Sequence, residues 1–359
     1  MRNAYLLLEN GAVFEGRSFG HDAEALGELV FTTKMTGYLE TLSDPAYYGQ
    51  IVLQTFPLIG NYGVIPQDFG PGPMYLKAYI VREWCQEPSN FRSEGNLDSF
   101  LCDHKIPGLC GIDTRALTRL IRDNGCMNAM ISRTSEITEE QWATLRGYRA
   151  SEVVAAACDD SNYSPGVYPG ALGQTQERKW NVALWDFGDG FRASQLLVNH
   201  GCTPITIRHN ASAGSILAAK PDGIMLTGGP GDPAENPHII EEVRKLIGRC
   251  EGIPIFAVGL GHQMLALARG AKTTKLKFGN RGANQPVSER GTKNVFVTAQ
   301  NHGFAVVPDS LPDNAVMSYK NINDGTCEGI DYTDIPAFSI QFDPTENEME
   351  RFVRMMDHQ

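Results

Sequence analysis

The most constraining feature of the chain is an alternation of short apolar runs and helical patterns that begins near residue 180. The runs read NVALWDF, TPITI, GIMLT, IPIFAV and NVFVTA, at residues 181–187, 203–207, 223–227, 253–258 and 294–299. Strands that alternate with helices are typical of βαβ units, in which a parallel sheet carries helices on both faces. The second half therefore predicts a doubly wound, mostly parallel α/β sheet over residues 179–359.

The first half lacks this regular alternation of strands and helices. Its pattern predicts a mixed α and β domain over residues 1–150. It opens with YLLLENGAVFEG, in which Asn10-Gly11 between apolar runs favours a β-hairpin. More β-rich sequence follows, and IDTRALTRLIRDNG at 112–125 shows helical spacing with a terminal glycine. Periodicity weakens from about Gln141, and residues 151–178, rich in Ala, Ser, Gly and Gln, are interpreted as a connecting segment.

Charge and cysteine usage exclude several classes of function. The net charge of −11 disfavours nucleic acid or an anionic membrane as a partner, because phosphates are bound through surplus Lys and Arg. The eight cysteines form no CxxC pair and no cluster with zinc spacing, so no metal site is predicted. No signal peptide or run of about 20 apolar residues is visible, and the cytosol is the expected compartment.

Ligands of such sheets bind beyond the carboxyl ends of the strands, and four segments fall there. GGPGDP at 228–233 follows GIMLT, and a strand-to-helix elbow GLGHQ at 259–263 follows IPIFAV. QNHGF at 300–304 follows NVFVTA, and QFDPT at 341–345 follows AFSI. We expect all four to be loops of one site. The elbow has the geometry that presents a nucleophile in several enzymes, yet its tip is Gly259.

Four such loops in this order resemble the class I glutamine amidotransferase domain, whose elbow reads Gly-x-Cys-x-Gly-x-Gln and whose last loop carries His-Pro-Glu. The first half is similar to the amino-terminal domain of the small subunit of carbamoyl-phosphate synthase. The segments that carry this second resemblance are GELVFTTKMTGYLETLSDPAYYGQI, PLIGNYG and GIDTRALTRLIR, with KFGNRGANQPV and TAQNHGFAV in the second half.

The resemblance implies a definite activity and partner. Small subunits of this family hydrolyse glutamine through a thioester on the elbow Cys, and the ammonia passes through a tunnel to a large subunit. There it is combined with bicarbonate and ATP, so ATP and magnesium are expected in the large subunit and no cofactor in this chain. The implied assembly is a heterodimer that serves arginine or pyrimidine synthesis; the sequence leaves both pathways open.

When the family's catalytic positions are matched residue by residue to this sequence, none of the three triad residues is present. The nucleophile position is Gly259, the base position is Asp343 and the orienting carboxylate position is Thr345. Ala46 replaces the family's Ser that contacts glutamine from the first domain. The backbone cradle for glutamine is retained, with Gly229 and Leu260 matching the oxyanion N–H pair. Its other members are Gly231, Gln263, Asn301, Gly303 and Phe304.

No other side chain is a good replacement for the nucleophile. Cys250 precedes the strand that ends at the elbow, so it falls at the opposite end of the sheet, and Cys327 is interpreted as a solvent-exposed bystander in a turn. His262 and His302 are interpreted as positioning or packing residues. Because a nucleophile elbow is a strained turn, Gly259 is predicted to have a positive φ.

Two further segments depart from the family. After QFDPT the chain runs into ENEMERFVRMMDHQ, which predicts a helix with Met349, Phe352, Val353 and Met356 on one face. In DFGDGFRASQLL, at 186–197, the Lys and Asn of the family's Asp-Phe-Gly-x-Lys-x-Asn run are missing.

Three hypotheses remain open on the sequence alone. The first is a degenerate small subunit that pairs with an ammonia-using large subunit and contributes structure, a tunnel or regulation. The second is a stand-alone pseudoenzyme that binds glutamine, a related amino acid or another protein. The third is a hydrolase reassigned around Asp343, whose carboxylate would activate water.

Overall fold

A computed structural model describes residues 2–69, 73–158, 179–250 and 252–357. The chain divides into two compact units, Met1–Ser151 and Glu152–Gln359. Each has its own hydrophobic core of buried aliphatic and aromatic side chains.

The first unit is built around a closed barrel of seven strands in the order β1-β2-β8-β6-β4-β3-β9. Strands β3, β4, β6 and β8 pair in parallel, and the remaining neighbours pair antiparallel. The strands are β1 Asn3–Leu8, β2 Val13–Gly20, β3 Ala25–Thr32, β4 Gln50–Gln54, β5 Leu58–Ile59, β6 Ala78–Ile80, β7 Glu83–Trp84, β8 Pro107–Cys110 and β9 Met127–Ser132; the helices are α1 Tyr38–Leu42, α2 Leu97–Asp103, α3 Thr114–Asn124 and α4 Glu139–Gly147.

The hairpin and helix predicted in this unit are confirmed. β1 and β2 pair antiparallel across the turn, Gly11 has φ 90°, and the Asn10 carboxamide oxygen accepts the Ala12 N–H at 3.0 Å. Helix α3 starts at Asp113, whose carboxylate accepts the Ala116 N–H, and ends at Gly125 with φ 99°. The barrel itself was not predicted, because closure depends on pairings between strands far apart in the chain.

The region around the predicted connection contains two helices that the sequence did not indicate. Helix α4 continues to Gly147, past the point where periodicity weakens, with a capping box at Thr138. A short helix, α5 Val153–Ala157, packs Val154 into the core of the second unit. The rest of this segment, residues 159–178, lies outside the described residues.

The second unit is a sheet of nine strands in the order β11-β10-β12-β13-β18-β17-β15-β14-β16. The five strands from β11 to β18 are parallel, and the four from β17 to β16 are antiparallel. The strands are β10 Trp180–Trp185, β11 Cys202–Ile207, β12 Gly223–Leu226, β13 Ile255–Val258, β14 Thr273–Glu289, β15 Val295–Val306, β16 Ala315–Asn321, β17 Cys327–Tyr332 and β18 Ala337–Ile340; the helices are α6 Gly190–Asn199, α7 Ala213–Ala218, α8 Pro237–Ile247, α9 Leu260–Ala268 and α10 Glu346–Asp357.

Helices cover both faces of the parallel strands, as predicted. On β10, Val182 and Leu184 pack into a cluster with α6 and α10, whereas Ala183 and Trp185 join α7, α8 and α9 on the other face. This alternation follows from the period of two along a strand. Met349, Phe352 and Met356 of the predicted carboxyl-terminal helix are buried in the first cluster, and Val353 is half-buried against it.

Two details of the predicted sheet are wrong. The run NVFVTA belongs to β15, which pairs antiparallel with β14 and is not a strand of the parallel layer. QNHGF, expected to be a loop, continues the same strand through residue 304. The direction of β15 and its extension through the polar residues 300–304 both depend on its pairing with β14. Because β14 is a separate segment of the chain, neither the direction nor the length of β15 is visible in its own sequence.

Candidate functional site

The elbow has the backbone that the sequence predicts. Gly259 has φ 54° and ψ −112°, which confirms the positive φ. Its N–H donates to the Ile340 carbonyl at 2.9 Å, and the Gly261 N–H donates to the Thr227 carbonyl at 3.0 Å. The turn is therefore fixed to both neighbouring strands. A Cβ placed at Gly259 would meet one heavy atom within 4 Å, the Cα of Gly228 at 3.3 Å, so the tip of the elbow packs tightly against the backbone of the glycine loop.

The glycine loop after β12 lies directly against the elbow. A Cβ on Gly229 would lie 2.2 Å from the Phe187 carbonyl oxygen and 3.1 Å from Leu260 Cδ2, so this position tolerates only glycine. Gly231 has φ 92°, and a Cβ there would collide with Val153. The structure thus brings Gly229 and Leu260 together at the amino terminus of α9, where backbone N–H groups favour developing negative charge.

Asp343, at the base position, is held by an ion pair. The Arg192 guanidinium on α6 donates to Asp343 Oδ2 at 2.7 Å, with both side chains partly exposed. The backbone N–H of Asp343 donates to the Ala299 carbonyl at 3.0 Å. The guanidinium therefore occupies a lone pair of Oδ2 that a base would need in order to accept a proton. The sequence analysis did not identify Arg192 as a site residue. The sequence offered one indication: Arg192 stands where the family's Asp-Phe-Gly-x-Lys-x-Asn run has Asn.

Thr345, at the orienting position, serves the following helix. Its hydroxyl donates to a carboxylate oxygen of Glu348, and its backbone N–H donates to the same oxygen at 3.0 Å. The Met349 N–H donates to the Thr345 carbonyl at 3.2 Å, which places Thr345 at the amino-terminal cap of α10. The residue that would orient a base therefore caps a helix.

The remaining cradle residues of this unit lie on α9 and β15. The Gln263 side-chain amide donates to the Phe304 carbonyl at 2.7 Å and to Gln341 Oε1 at 2.8 Å. Asn301 pairs with Arg281 across β14 and β15, and a Cβ on Gly303 would lie 2.9 Å from Arg281 Nη2. Hydrogen bonds and close packing therefore fix these residues in position.

Ala46, the other position carried over from the family, belongs to the first unit. It lies in a 3₁₀ turn, Pro45–Tyr47, and its N–H donates to Asp44 Oδ1 at 2.9 Å. Its methyl group carries no function that could bind a substrate side chain.

The two histidines near the elbow are packed and neutral. His262 is fully buried with Nδ1 2.8 Å from Ser339 Oγ, and burial lowers its pKa to about 3. Burial likewise lowers the pKa of His302 to about 4, and its ring nitrogens lie 2.8 Å from the Phe304 carbonyl and 3.1 Å from Gln300 Oε1. These contacts are those of packing residues. Neither imidazole is placed to take a proton from a ligand in solvent.

The cysteines of this unit include no activated thiol among those with a resolved pKa shift. Cys250 is buried behind β13, and burial raises its pKa. The interpretation of Cys327 as an exposed turn residue is wrong: it is fully buried in β17, and burial raises its pKa to about 12. Its flanking NDG and EG residues suggested a turn, but the turn covers residues 322–324 and β17 begins at Cys327. A thiol at such a pKa is protonated and a weak nucleophile at neutral pH.

A buried carboxyl that sequence reasoning missed lies beneath β15. Glu328 on β17 has no solvent exposure, and burial raises its pKa to about 7. The Thr326 hydroxyl lies 2.6 Å from Glu328 Oε1, and His302 Nε2 lies 3.9 Å from the same oxygen. Glu328 Oε2 is buried without a partner among the described residues. A protonated carboxyl is the form this environment stabilises.

In the described part of the chain, no group of three or more His, Cys, Asp or Glu side chains is arranged to hold a metal ion. No helix within the same residues combines the length and apolar character needed to cross a bilayer.

Comparison with known proteins gives matches along nearly the whole chain. Residues 6–131 match the family model of the carbamoyl-phosphate synthase small chain, CPSase domain, and residues 183–353 match the glutamine amidotransferase class-I model. The chain is 41% identical to the carbamoyl phosphate synthase small chain of Syntrophotalea carbinolica, over 99% of this chain and 98% of the relative. It is 44% identical to the protein of the same name from Oceanobacillus iheyensis, over 96% and 91%. A pyrimidine-specific small chain of Halalkalibacterium halodurans is 41% identical, over 98% and 96%.

Proposed function

The chain belongs to the carbamoyl-phosphate synthase small-chain family and carries a class I glutamine amidotransferase domain in its second half. From this premise we propose that it is a small subunit that has lost glutamine hydrolysis. It acts as the structural or regulatory partner of a large chain that uses free ammonia, in a heterodimer expected in the cytosol. The first domain, 1–150, the connection, 151–178, and the amidotransferase-like domain, 179–359, are proposed as its functional parts.

The observation that carries this proposal is the state of the three triad positions. Gly259 has no side chain, Asp343 is paired with Arg192, and Thr345 caps α10. Thioester chemistry requires a thiolate, a base within hydrogen-bond reach and a group that orients the base. Each position has acquired a different structural role or none, so restoring one of them does not restore the others.

The surrounding side chains support the same proposal. His262 and His302 are buried and neutral, and burial raises the pKa of Cys250 and Cys327. The hypothesis of a hydrolase built on Asp343 has no support from the geometry. The Arg192 guanidinium donates to Asp343 Oδ2 and so competes with water for the lone pairs of that carboxylate.

The retained cradle is explained by the needs of the fold. Gly229, Gly231 and Gly259 are required by close contacts or positive φ, and Gln263 ties α9 to β15 and to the segment after β18. These residues persist for packing even when no glutamine is hydrolysed. The large chain and glutamine are the partner and ligand classes that the family suggests.

The test is co-expression with a carbamoyl-phosphate synthase large chain from the same cell. The expected result is a stable complex that makes carbamoyl phosphate from ammonia, bicarbonate and ATP with magnesium, and not from L-glutamine. Synthesis from L-glutamine at a rate comparable to that from ammonia would contradict the proposal. Failure of the large chain to co-purify would instead favour a stand-alone pseudoenzyme.

A further inference from the structure

One hydroxyl bridges two carboxyl groups at the turn between β16 and β17. The Thr326 hydroxyl oxygen lies 2.7 Å from Asp324 Oδ1 and 2.6 Å from Glu328 Oε1. Backbone hydrogen bonds close the same turn: the Asn321 N–H donates to the Thr326 carbonyl at 3.0 Å, and the Gly325 N–H donates to the Asn321 carbonyl at 3.0 Å. The three bridged side chains are therefore held in line by the backbone of the turn.

The number of protons on the bridge follows from its two short contacts. Both oxygen–oxygen distances are those of O–H···O hydrogen bonds, so each contact contains a proton. A threonine hydroxyl has a single proton to donate, and its lone pairs can accept a second hydrogen bond. The other proton must therefore belong to one of the two carboxyl groups.

Glu328 is the carboxyl that keeps this proton. Asp324 reaches solvent and accepts two further N–H groups, from the Thr326 backbone at 3.0 Å and from the Asn280 side chain at 2.9 Å. Burial acts to raise the pKa of Asp324, but the hydrogen bonds from Thr326 and Asn280 outweigh it and lower the pKa. Glu328 is fully buried, which raises its pKa to about 7. Glu328 therefore donates its O–H to Thr326, whose own O–H donates to Asp324.

The bridged side chains also tie the turn to a neighbouring strand. Asn280, which donates to Asp324, lies on β14 directly opposite His302 of β15. The cradle positions Asn301 and Gly303 flank His302 on β15. The turn is therefore connected to the pair of strands that carries these two cradle positions.

We propose that Asp324, Thr326 and Glu328 form a proton-dependent latch: the proton on Glu328 closes the turn between β16 and β17 onto β14, and loss of that proton opens the turn. Without it, the hydroxyl has one proton for two carboxylates, and one of the two short oxygen–oxygen contacts becomes repulsive. An ionised carboxylate is costly in a buried site, and opening the turn gives it water. This inference goes beyond the proposed function, because the latch operates whether or not glutamine is hydrolysed.

The sign of the pH dependence follows from Glu328. Its pKa is higher in the folded chain than in the unfolded one, so the latch is closed at acidic pH and opens as pH rises through about 7. The charged or titratable groups on the surrounding elements are Asp324 of the turn, Arg281 on β14, His302 on β15, Tyr319 and Lys320 on β16, and Cys327 on β17.

These neighbours keep their charge between pH 6 and 8.5. Burial lowers the pKa of His302 to about 4 and raises that of Cys327 to about 12, so both are neutral. Burial also raises the pKa of Tyr319. Arg281 and Lys320 are cations in this range. β18, which pairs with β17, consists of Ala, Phe, Ser and Ile. Of the groups around the latch, Glu328 is the one that changes charge.

Hydrogen–deuterium exchange of the full chain, measured by mass spectrometry on its peptides, tests the latch. Residues 321–326 report the opening of the turn, because several of their amides are hydrogen-bonded within it. Each rate is divided by that of an unstructured peptide of the same sequence at the same pH. The protection of this segment is expected to fall by about tenfold or more between pH 6 and 8.5, whereas peptides from α9, the internal reference for global opening, keep theirs.

Three variants separate the latch from a general effect of pH. Glu328→Gln keeps a neutral donor beside Thr326 and should retain full protection at both pH values. Thr326→Val removes the bridging hydroxyl and should lower protection at pH 6, with no further fall at pH 8.5. Glu235→Gln is the matched control, because Glu235 is exposed, and it should show the same fall as the original chain.

Equal protection of residues 321–326 at both pH values in the original chain would overturn the proposal. A fall in Glu328→Gln or in Thr326→Val as large as that of the original chain would overturn it as well. Infrared difference spectra between pH 6 and 8.5 give an independent readout. The C=O stretch of a protonated carboxylic acid should disappear at pH 8.5 in the original chain and show no such change in Glu328→Gln, and identical difference spectra of the two chains would contradict the assignment of the proton to Glu328.

Discussion

Gly259 forms the tip of the elbow without a side chain. The backbone at φ 54° is unfavourable for residues with a Cβ, with a cost of about 1 to 3 kcal/mol for such conformations. Glycine adopts it freely, and the flanking N–H bonds to Ile340 and Thr227 hold the turn without any side chain. Because the elbow is part of the sheet's connectivity, losing the nucleophile does not require losing the elbow.

Gly259→Cys is expected to add a thiol without adding activity. The new Cβ would lie 3.3 Å from Gly228 Cα, so the glycine loop must shift slightly to admit it, and the base position holds Asp343 paired with Arg192. Glutamine-dependent ammonia release should remain at the level of the original chain, whereas iodoacetamide should label residue 259 as shown by peptide mass spectrometry. Steady turnover in this single variant would mean that a base for the thiol exists and that the assignment of Asp343 is wrong.

Glu328→Gln is expected to stabilise the protein at neutral and alkaline pH. Burial raises the Glu328 pKa from 4.5 to about 7, so its contribution to stability is complete below about pH 4.5 and is lost as pH rises through 7. As pH rises, Glu328 loses its proton at a lower pH in the unfolded chain than in the folded one, which favours unfolding. Gln carries no ionisable proton, so the substitution removes this pH-dependent loss of stability. At pH 8 the free energy of unfolding should rise by about 1 to 3 kcal/mol, and near pH 4 the two chains should agree.

Urea unfolding across pH 4 to 8 measures this effect. Glu235→Gln is the control, because Glu235 is exposed and should leave the pH profile unchanged. A profile of Glu328→Gln parallel to that of the original chain would show that Glu328 is ionised in the folded state.

Helix α10 depends on the hydrogen bonds at its amino terminus. Thr345 and Glu348 form the amino-terminal cap, and Met349, Phe352 and Met356 fill the core beneath. Thr345→Ala is expected to lower the free energy of unfolding by about 1 kcal/mol, because the Glu348 carboxylate loses the hydrogen bond from the Thr345 hydroxyl.

Denaturant unfolding of Thr345→Ala checks this value against Thr144→Ala, which alters a threonine inside exposed α4. The control should stay within about 0.5 kcal/mol of the original chain. Equal stability of both variants would show that Thr345 does not cap α10, and its position would then be open for another role.

Among the helices and strands, those set by local periodicity could be predicted from the sequence. The strand whose length and direction depend on pairing with a distant segment could not. The hairpin at Asn10-Gly11, helix α3 and the carboxyl-terminal helix follow from turn residues and from periods of two and 3.6, and all are confirmed. Strand β15 was misread because its length and direction depend on β14, and Cys327 was misread because NDG precedes a buried strand.

At the scale of the whole molecule, the two units combine a barrel with a nine-stranded α/β sheet, and both match one family along nearly the full chain. The family and the α/β class were predictable because the motifs are spread over both halves. The Arg192–Asp343 pair was not, since it joins α6 to a loop 151 positions later.

The proposed loss of glutamine hydrolysis is tested by measuring the ammonia released from L-glutamine by the purified chain, alone and with a large chain added. Release at the level of buffer is expected in both samples, with no acyl-enzyme adduct in the intact mass. Sustained release proportional to protein concentration would contradict it and show that a nucleophile other than residue 259 completes the site.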